Sequence, residues 1–201
     1  MSNRKKLLLV IALLVLLLLF VLGYWFFGRT REVKKVGGLD ITPSVPSAVK
    51  GDVFRVDVNF RTGTNGEAKP VSAMSFRLTY DYSGDNPDVQ AVDENGVISD
   101  TLYPATEFLQ SGEWTFPVRS VQEGAGSVVI DFAAVNTSLD GYMEDASKTI
   151  ASIYFKAEDV PDAGAFTLEF NNDQTKMMTK EESPVNILSV PNNLNFTINK
   201  K

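Results

Sequence analysis

From residue 53 onward, apolar and polar side chains alternate in short runs and do not recur every three or four positions. The clearest run is 53–61. Phe54, Val56, Val58 and Phe60 fall on one side, and Arg55, Asp57, Asn59 and Arg61 on the other. Successive side chains of a strand point to opposite faces, so this pattern predicts a half-buried strand of a sheet with one wet face. Residues 71–80 repeat it, with Met74, Phe76, Leu78 and Tyr80 inward and Ser75, Arg77 and Thr79 outward. Runs of the same style follow at 89–93, 114–121, 128–135, 150–157, 165–170, 185–189 and 194–199, with turns rich in Gly, Asn, Asp and Pro between them. No long amphipathic helix interrupts the series. Roughly nine to eleven short strands with such turns predict an all-β, two-sheet sandwich and not a parallel α/β fold. Segments 100–112 and 137–148 lack the alternation, and either has room for a short helical turn.

The first 36 residues follow a different rule. Residues 7–27 are uncharged and apolar throughout, with Tyr24 and Trp25 near one end. As a helix, this run would span about 31 Å at ~1.5 Å per residue, close to the ~30 Å hydrocarbon core of a bilayer. It exceeds the roughly 7–15 residues of a signal-peptide core, which favours an uncleaved single-pass transmembrane helix, although Val21-Leu22-Gly23 keeps cleavage open as an alternative. Basic residues flank the run on both sides, so the positive-inside rule discriminates weakly. The expected organisation is a cytoplasmic tail at 1–6, the membrane helix at 7–27, a stalk and lead-in at 28–43, and a sandwich domain at 44–199.

Charge and missing residue types then narrow the chemistry. Residues 1–36 carry seven basic side chains against Glu32, while the whole chain has a formal net charge of −6, which leaves −12 for the rest. A domain this acidic repels nucleic acid and anionic head groups, and it favours the outer side of the membrane with the N-terminus inside. The chain has no Cys and no His, which removes disulfides, thiolate nucleophiles, the commonest general base and the usual nitrogen ligand of transition metals. No cofactor is expected, and no motif marks a glycosidase pair of carboxylates. The turns holding Asp81, Asp85, Asn86 and Asp88, and Asp93, Glu94 and Asn95, have calcium-like oxygen chemistry, but their spacing matches no EF-hand loop and such residues are ordinary turn formers. Trp114 shares phase with Phe116 and Val118 and reads as core. Tyr154 is the better candidate for an exposed ring, and Tyr82 and Tyr103 fall in loops, open to either reading.

Several stretches in order resemble one family. Val49-Lys50-Gly51-Asp52 leads into an alternating strand. Ser75-Phe76-Arg77-Leu78-Thr79-Tyr80-Asp81, Val128-Val129-Ile130-Asp131-Phe132-Ala133-Ala134 and Ile150-Ala151-Ser152-Ile153-Tyr154-Phe155-Lys156 follow, and Val185-Asn186-Ile187-Leu188 precedes a last strand. In order and spacing, residues 44–199 resemble a cohesin domain. The resemblance implies a jelly-roll sandwich of about nine strands and a non-catalytic receptor for dockerin-bearing proteins, often in polysaccharide-degrading assemblies. It further implies that the partner lies across one sheet face built from strands 71–80, 114–121, 128–135 and 150–157. The face residues expected on this basis are Ser75, Arg77, Thr79, Arg119, Asp131, Ala133, Ile150 and Tyr154. The expected partner is therefore a dockerin-like protein or a surface polysaccharide at the cell surface. A direct carbohydrate-binding module and a structural or adhesive envelope subunit are the competing readings.

Overall fold

The computed structural model describes residues 33–161 and 164–200. The apolar run at 7–27, the cytoplasmic tail and the first part of the expected stalk, 28–32, lie outside the described residues. No helix among the described residues is long and apolar enough to cross a membrane.

Twelve strands and one short helix are formed among the described residues: β1 Gly38–Pro43, β2 Ser47–Val49, β3 Val53–Arg61, β4 Val71–Asp81, β5 Val89–Val92, β6 Tyr103–Pro104, α1 Thr106–Gln110, β7 Trp114–Gly124, β8 Ser127–Asn136, β9 Lys148–Ala157, β10 Ala165–Phe170, β11 Lys176–Thr179 and β12 Leu194–Asn199. The first sheet runs β1-β3-β9-β5, with β6 also on β9. The second runs β2-β12-β10-β4-β8-β7, with β11 also on β4. Every pairing is antiparallel except β2 with β12. The chain crosses repeatedly between the two sheets, as a jelly roll does. The expected two-sheet sandwich is thus the observed fold.

The alternation predicted from sequence supplies the core. Phe54, Val56, Val58 and Phe60 of β3 are at most 3% exposed, and Met74, Phe76, Leu78 and Tyr80 of β4 at most 4%. Aromatic contacts tie the layers together. Phe54 of the first sheet stacks on Phe196 of the second at 4.5 Å, and Phe155 meets Phe166 edge-on at 5.2 Å. At the other end, α1 inserts Phe108 against Trp114 at 5.7 Å and Phe60 at 5.6 Å. Tyr142 closes this cluster, and its hydroxyl is pushed up to about 12 by burial, then by Glu144 and Glu107.

The structure departs from the sequence reading in four places. The sheet begins at Gly38, inside the stretch expected to be lead-in. β1 pairs with β3 along its whole length, and Leu39 and Ile41 are buried. Residues 185–189 form bridges at Asn186 and Leu188 but no strand, whereas residues 176–179, which show no alternation long enough to read, do form one. The third departure is that residues 150–157 belong to the first sheet, not to the sheet of β4, β7 and β8. The fourth concerns Ile150. Val58 pairs with Ala151 while Asn59 pairs with Thr149, so one step along β3 is matched by two along β9. Ile150 is the extra residue of that bulge, and both it and Ala151 are fully buried. It is therefore core and cannot be an outward contact.

Candidate functional site

The outward face of β4, β8 and β7 is built around one ion pair. Arg77 and Asp131 are direct cross-strand partners, and the guanidinium donates from Nε to Oδ1 and from Nη2 to Oδ2, both at 2.7 Å. This parallel, two-pronged geometry is the strong form of a carboxylate contact. The hydrogen bonds with Asp131 raise the Arg77 pKa further, so this cation is permanent. The side chains are 34% and 22% exposed, so the pair is half-sunk in the sheet yet still reachable. Next to it on the same face lie Ser75 opposite Ala133, and Thr79 opposite Val129. Ser75 Oγ donates to the Gln174 carbonyl at 3.2 Å, which fastens the 171–176 turn to the edge of this face.

β7 completes the face in a phase that the sequence did not reveal. Thr115 pairs with Val135, but Val118 pairs with Ala133, so the strand carries one extra residue there. The outward set then becomes Val118, Ser120 and Gln122, opposite Ala133, Asp131 and Val129. Arg119 pairs with Phe132 and takes the inward phase, which corrects its expected place on this face. It stays exposed because β7 is the edge strand. The available signal was Pro117, since a proline within a strand pattern marks an edge or a bulge. On the opposite flank, Lys176 and Met178 of β11 pair with Ser75 and Ala73, and Glu169 of β10 pairs with Thr79.

Of the eight expected positions, Ser75, Arg77, Thr79, Asp131 and Ala133 are therefore brought together on one face. Arg119 and Ile150 leave it for the reasons given. Tyr154 is turned outward, but on the first sheet, where it pairs with Arg55 on β3 and Val92 on β5. No aromatic side chain stands on the outward face of β4, β8 and β7 among the described residues. Phe116, at the bulge, packs instead against Phe132 at 5.8 Å and the core.

The acidic turn at 93–95 serves the backbone. Asp93 Oδ1 accepts from the amides of Asn95 at 2.8 Å and Val97 at 2.9 Å, and these backbone bonds, Val97 foremost, lower its pKa. Among the described residues, no group of three or more acidic side chains converges as a metal site.

Neither a family model nor a curated relative matches the chain. Solved structures do. A type II cohesin domain from the cellulosome of Acetivibrio cellulolyticus superposes with a TM-score of 0.56 at 16% identity, covering 80% of this chain and 95% of that one. The second type II cohesin module from the adaptor scaffoldin ScaA of the same organism gives 0.56 at 15% identity, covering 80% and 96%. The third cohesin of its ScaC, solved in complex with the ScaB dockerin, gives 0.51 at 16% identity, covering 81% and 98%. At these identities the shared property is the fold: the described domain has the cohesin architecture over nearly the full length of those modules.

Proposed function

We propose that this chain is a non-catalytic receptor module that captures a dockerin-like protein on the outward face of β4, β8 and β7. In this reading, residues 7–27 hold it on a membrane, with the N-terminus inside and the sandwich outside. The observation that carries the reading is the makeup of that face. A single half-sunk Arg77–Asp131 pair is surrounded by Ala73, Ser75, Thr79, Val118, Ser120, Val129 and Ala133. Charge is sparse, side chains are small, and ionic residues such as Lys176 and Glu169 stand at the margin, as in a protein interface with a polar rim. The lack of exposed rings among the described residues of this face disfavours sugar stacking there. The cohesin fold, seen with a bound dockerin in one of the similar structures, supports the same partner class.

The test uses full-length chain immobilised in detergent micelles as bait for exported proteins that carry dockerin-like segments. Ala133→Arg places a long cation in the middle of the face without touching the core. It should reduce capture by at least about tenfold, or about 1.4 kcal/mol, with the melting temperature nearly unchanged. Undiminished capture by that variant would move the partner to another surface. Alkaline extraction of membranes, and protease added to intact wall-stripped cells, test the anchor separately. Release by carbonate, or protection of the domain in intact cells, would overturn that part of the reading.

A further inference from the structure

The outward face of the first sheet carries a second constellation, independent of the protein-capture face. Two neighbouring rungs of the ladder build it. On one rung, Asp57 of β3, Ser152 of β9 and Tyr103 of β6 stand side by side; on the next are Arg55, Tyr154 and Val92. Paired residues in an antiparallel sheet project to the same side, so the rungs hold both tyrosines, the guanidinium, the carboxylate and the hydroxyl on one surface. Tyr103 and Tyr154 meet edge to face, with ring centres 5.9 Å apart and planes at 81°. Beside them opens a groove of about 510 Å³, lined also by Thr106 and Leu109 of α1 and by the 93–95 turn. That volume falls in the roughly 300–1,000 Å³ range of small-ligand sites.

We propose that this groove binds a neutral saccharide chain. Three features favour that ligand. First, the polar floor is fixed before any ligand arrives. Asp57 accepts from Arg55 Nη2 at 2.9 Å and from Ser152 Oγ at 2.6 Å, which locks the rotamers of both donors. Second, the groove mixes donors and acceptors. Arg55, the amide of Asn95, the two phenols and the Ser152 hydroxyl, set beside carboxylates, match the hydroxyls of a sugar, each of which both donates and accepts. Tyr103, 37% exposed, offers an apolar ring for the hydrophobic face of a pyranose. Third, the charges disfavour other ligands. Asp93 and Glu94 line the groove and repel anionic chains, while the Arg55 charge is already met by Asp57.

The experiment titrates full-length chain, in a zwitterionic detergent free of sugar head groups, with cellohexaose, xylohexaose, mannohexaose and chitohexaose by calorimetry. Saturable binding of at least one, with a Kd at or below about 1 mM, is the expected result. Tyr103→Ala and Arg55→Gln should each weaken it by at least about tenfold, as loss of a stacking ring or a charged donor does. Tyr154→Phe, which keeps the ring, should lose less than Tyr154→Ala. Because Tyr154 is partly buried, each variant is read together with its melting temperature, and Tyr103→Ala, at an exposed position of the short β6, is the deciding substitution. Absence of binding by all four sugars overturns the proposal, as does binding that survives both Tyr103→Ala and Arg55→Gln. So does loss of a captured protein, instead of a sugar, in Tyr103→Ala. Ala133→Arg should leave saccharide binding intact, so failure of this site and failure of the protein-capture face are read separately.

Discussion

Phe132→Ala is expected to lower the unfolding free energy of the sandwich by about 3–5 kcal/mol, the cost of truncating a buried aromatic. Phe132 is 2% exposed and lies parallel to Phe76 at 4.8 Å, its direct partner across β4 and β8. Phe116 meets it at a tilt at 5.8 Å, and Phe170 meets Phe76 edge-on at 6.2 Å. Removing the ring therefore breaks the middle of an aromatic row on the inner side of the second sheet. The neighbours cannot close the gap easily. Ile130 and Ala134 flank the position on β8, each held by its own cross-strand partner, Leu78 and Met74. Urea unfolding of the full-length chain, followed by near-ultraviolet circular dichroism, measures the loss. A change below about 1 kcal/mol would mean that the site collapses freely, which contradicts the close packing described.

The same aromatic row shows what the sequence made legible. Within one strand, the phase of alternation depends only on local order, so the inward sets of β3, β4, β8 and β12 could be read directly from Phe54, Phe76, Phe132 and Phe196. What local order does not carry is the assignment of strands to sheets. Residues 150–157 are mostly apolar, as are 128–135, yet β9 pairs with β3 and β8 with β4. That pairing is fixed by contacts distant in sequence, and it moved Tyr154 to the opposite side of the sandwich from Asp131. Bulges erase phase in another way. One extra residue beside Pro117 turned Arg119 inward and brought Val118, Ser120 and Gln122 onto the outward face of β4, β8 and β7. A second bulge buried Ile150. Short partners were hard to see for a third reason. β2, β6 and β11 have two to four residues each, too few to display a period, although β6 supplies Tyr103 to the groove and β11 supplies Lys176 to the rim. The ion pair was half legible: Arg77 and Asp131 were each placed outward, but their juxtaposition needed the register of β4 against β8.

Reversing that ion pair should abolish capture without abolishing the fold. Arg77→Glu alone removes the guanidinium and sets two carboxylates directly opposite each other on adjacent strands, an arrangement that destabilises a sheet. Because the pair is partly solvated, screening limits the folding cost to about 1 kcal/mol. The cost to binding should be larger. A charged anchor near the middle of an interface contributes about 2 kcal/mol or more, roughly a thirtyfold loss of affinity for the captured protein. The double exchange, Arg77→Glu with Asp131→Arg, separates the two effects. It restores opposite charges across the same rung, so the melting temperature should return close to that of the native chain. The partner, however, now meets a carboxylate where it met a guanidinium, and a cation where it met Asp131. Capture should therefore stay lost in the exchanged protein, and its residual binding should depend differently on salt from the native protein's. Thermal denaturation and quantitative capture of the same partner by the native chain, both single variants and the exchange make a complete cycle. Recovery of stability and capture together would show that the pair only braces β4 against β8. Recovery of stability alone is the result expected of a charge pair that the partner reads.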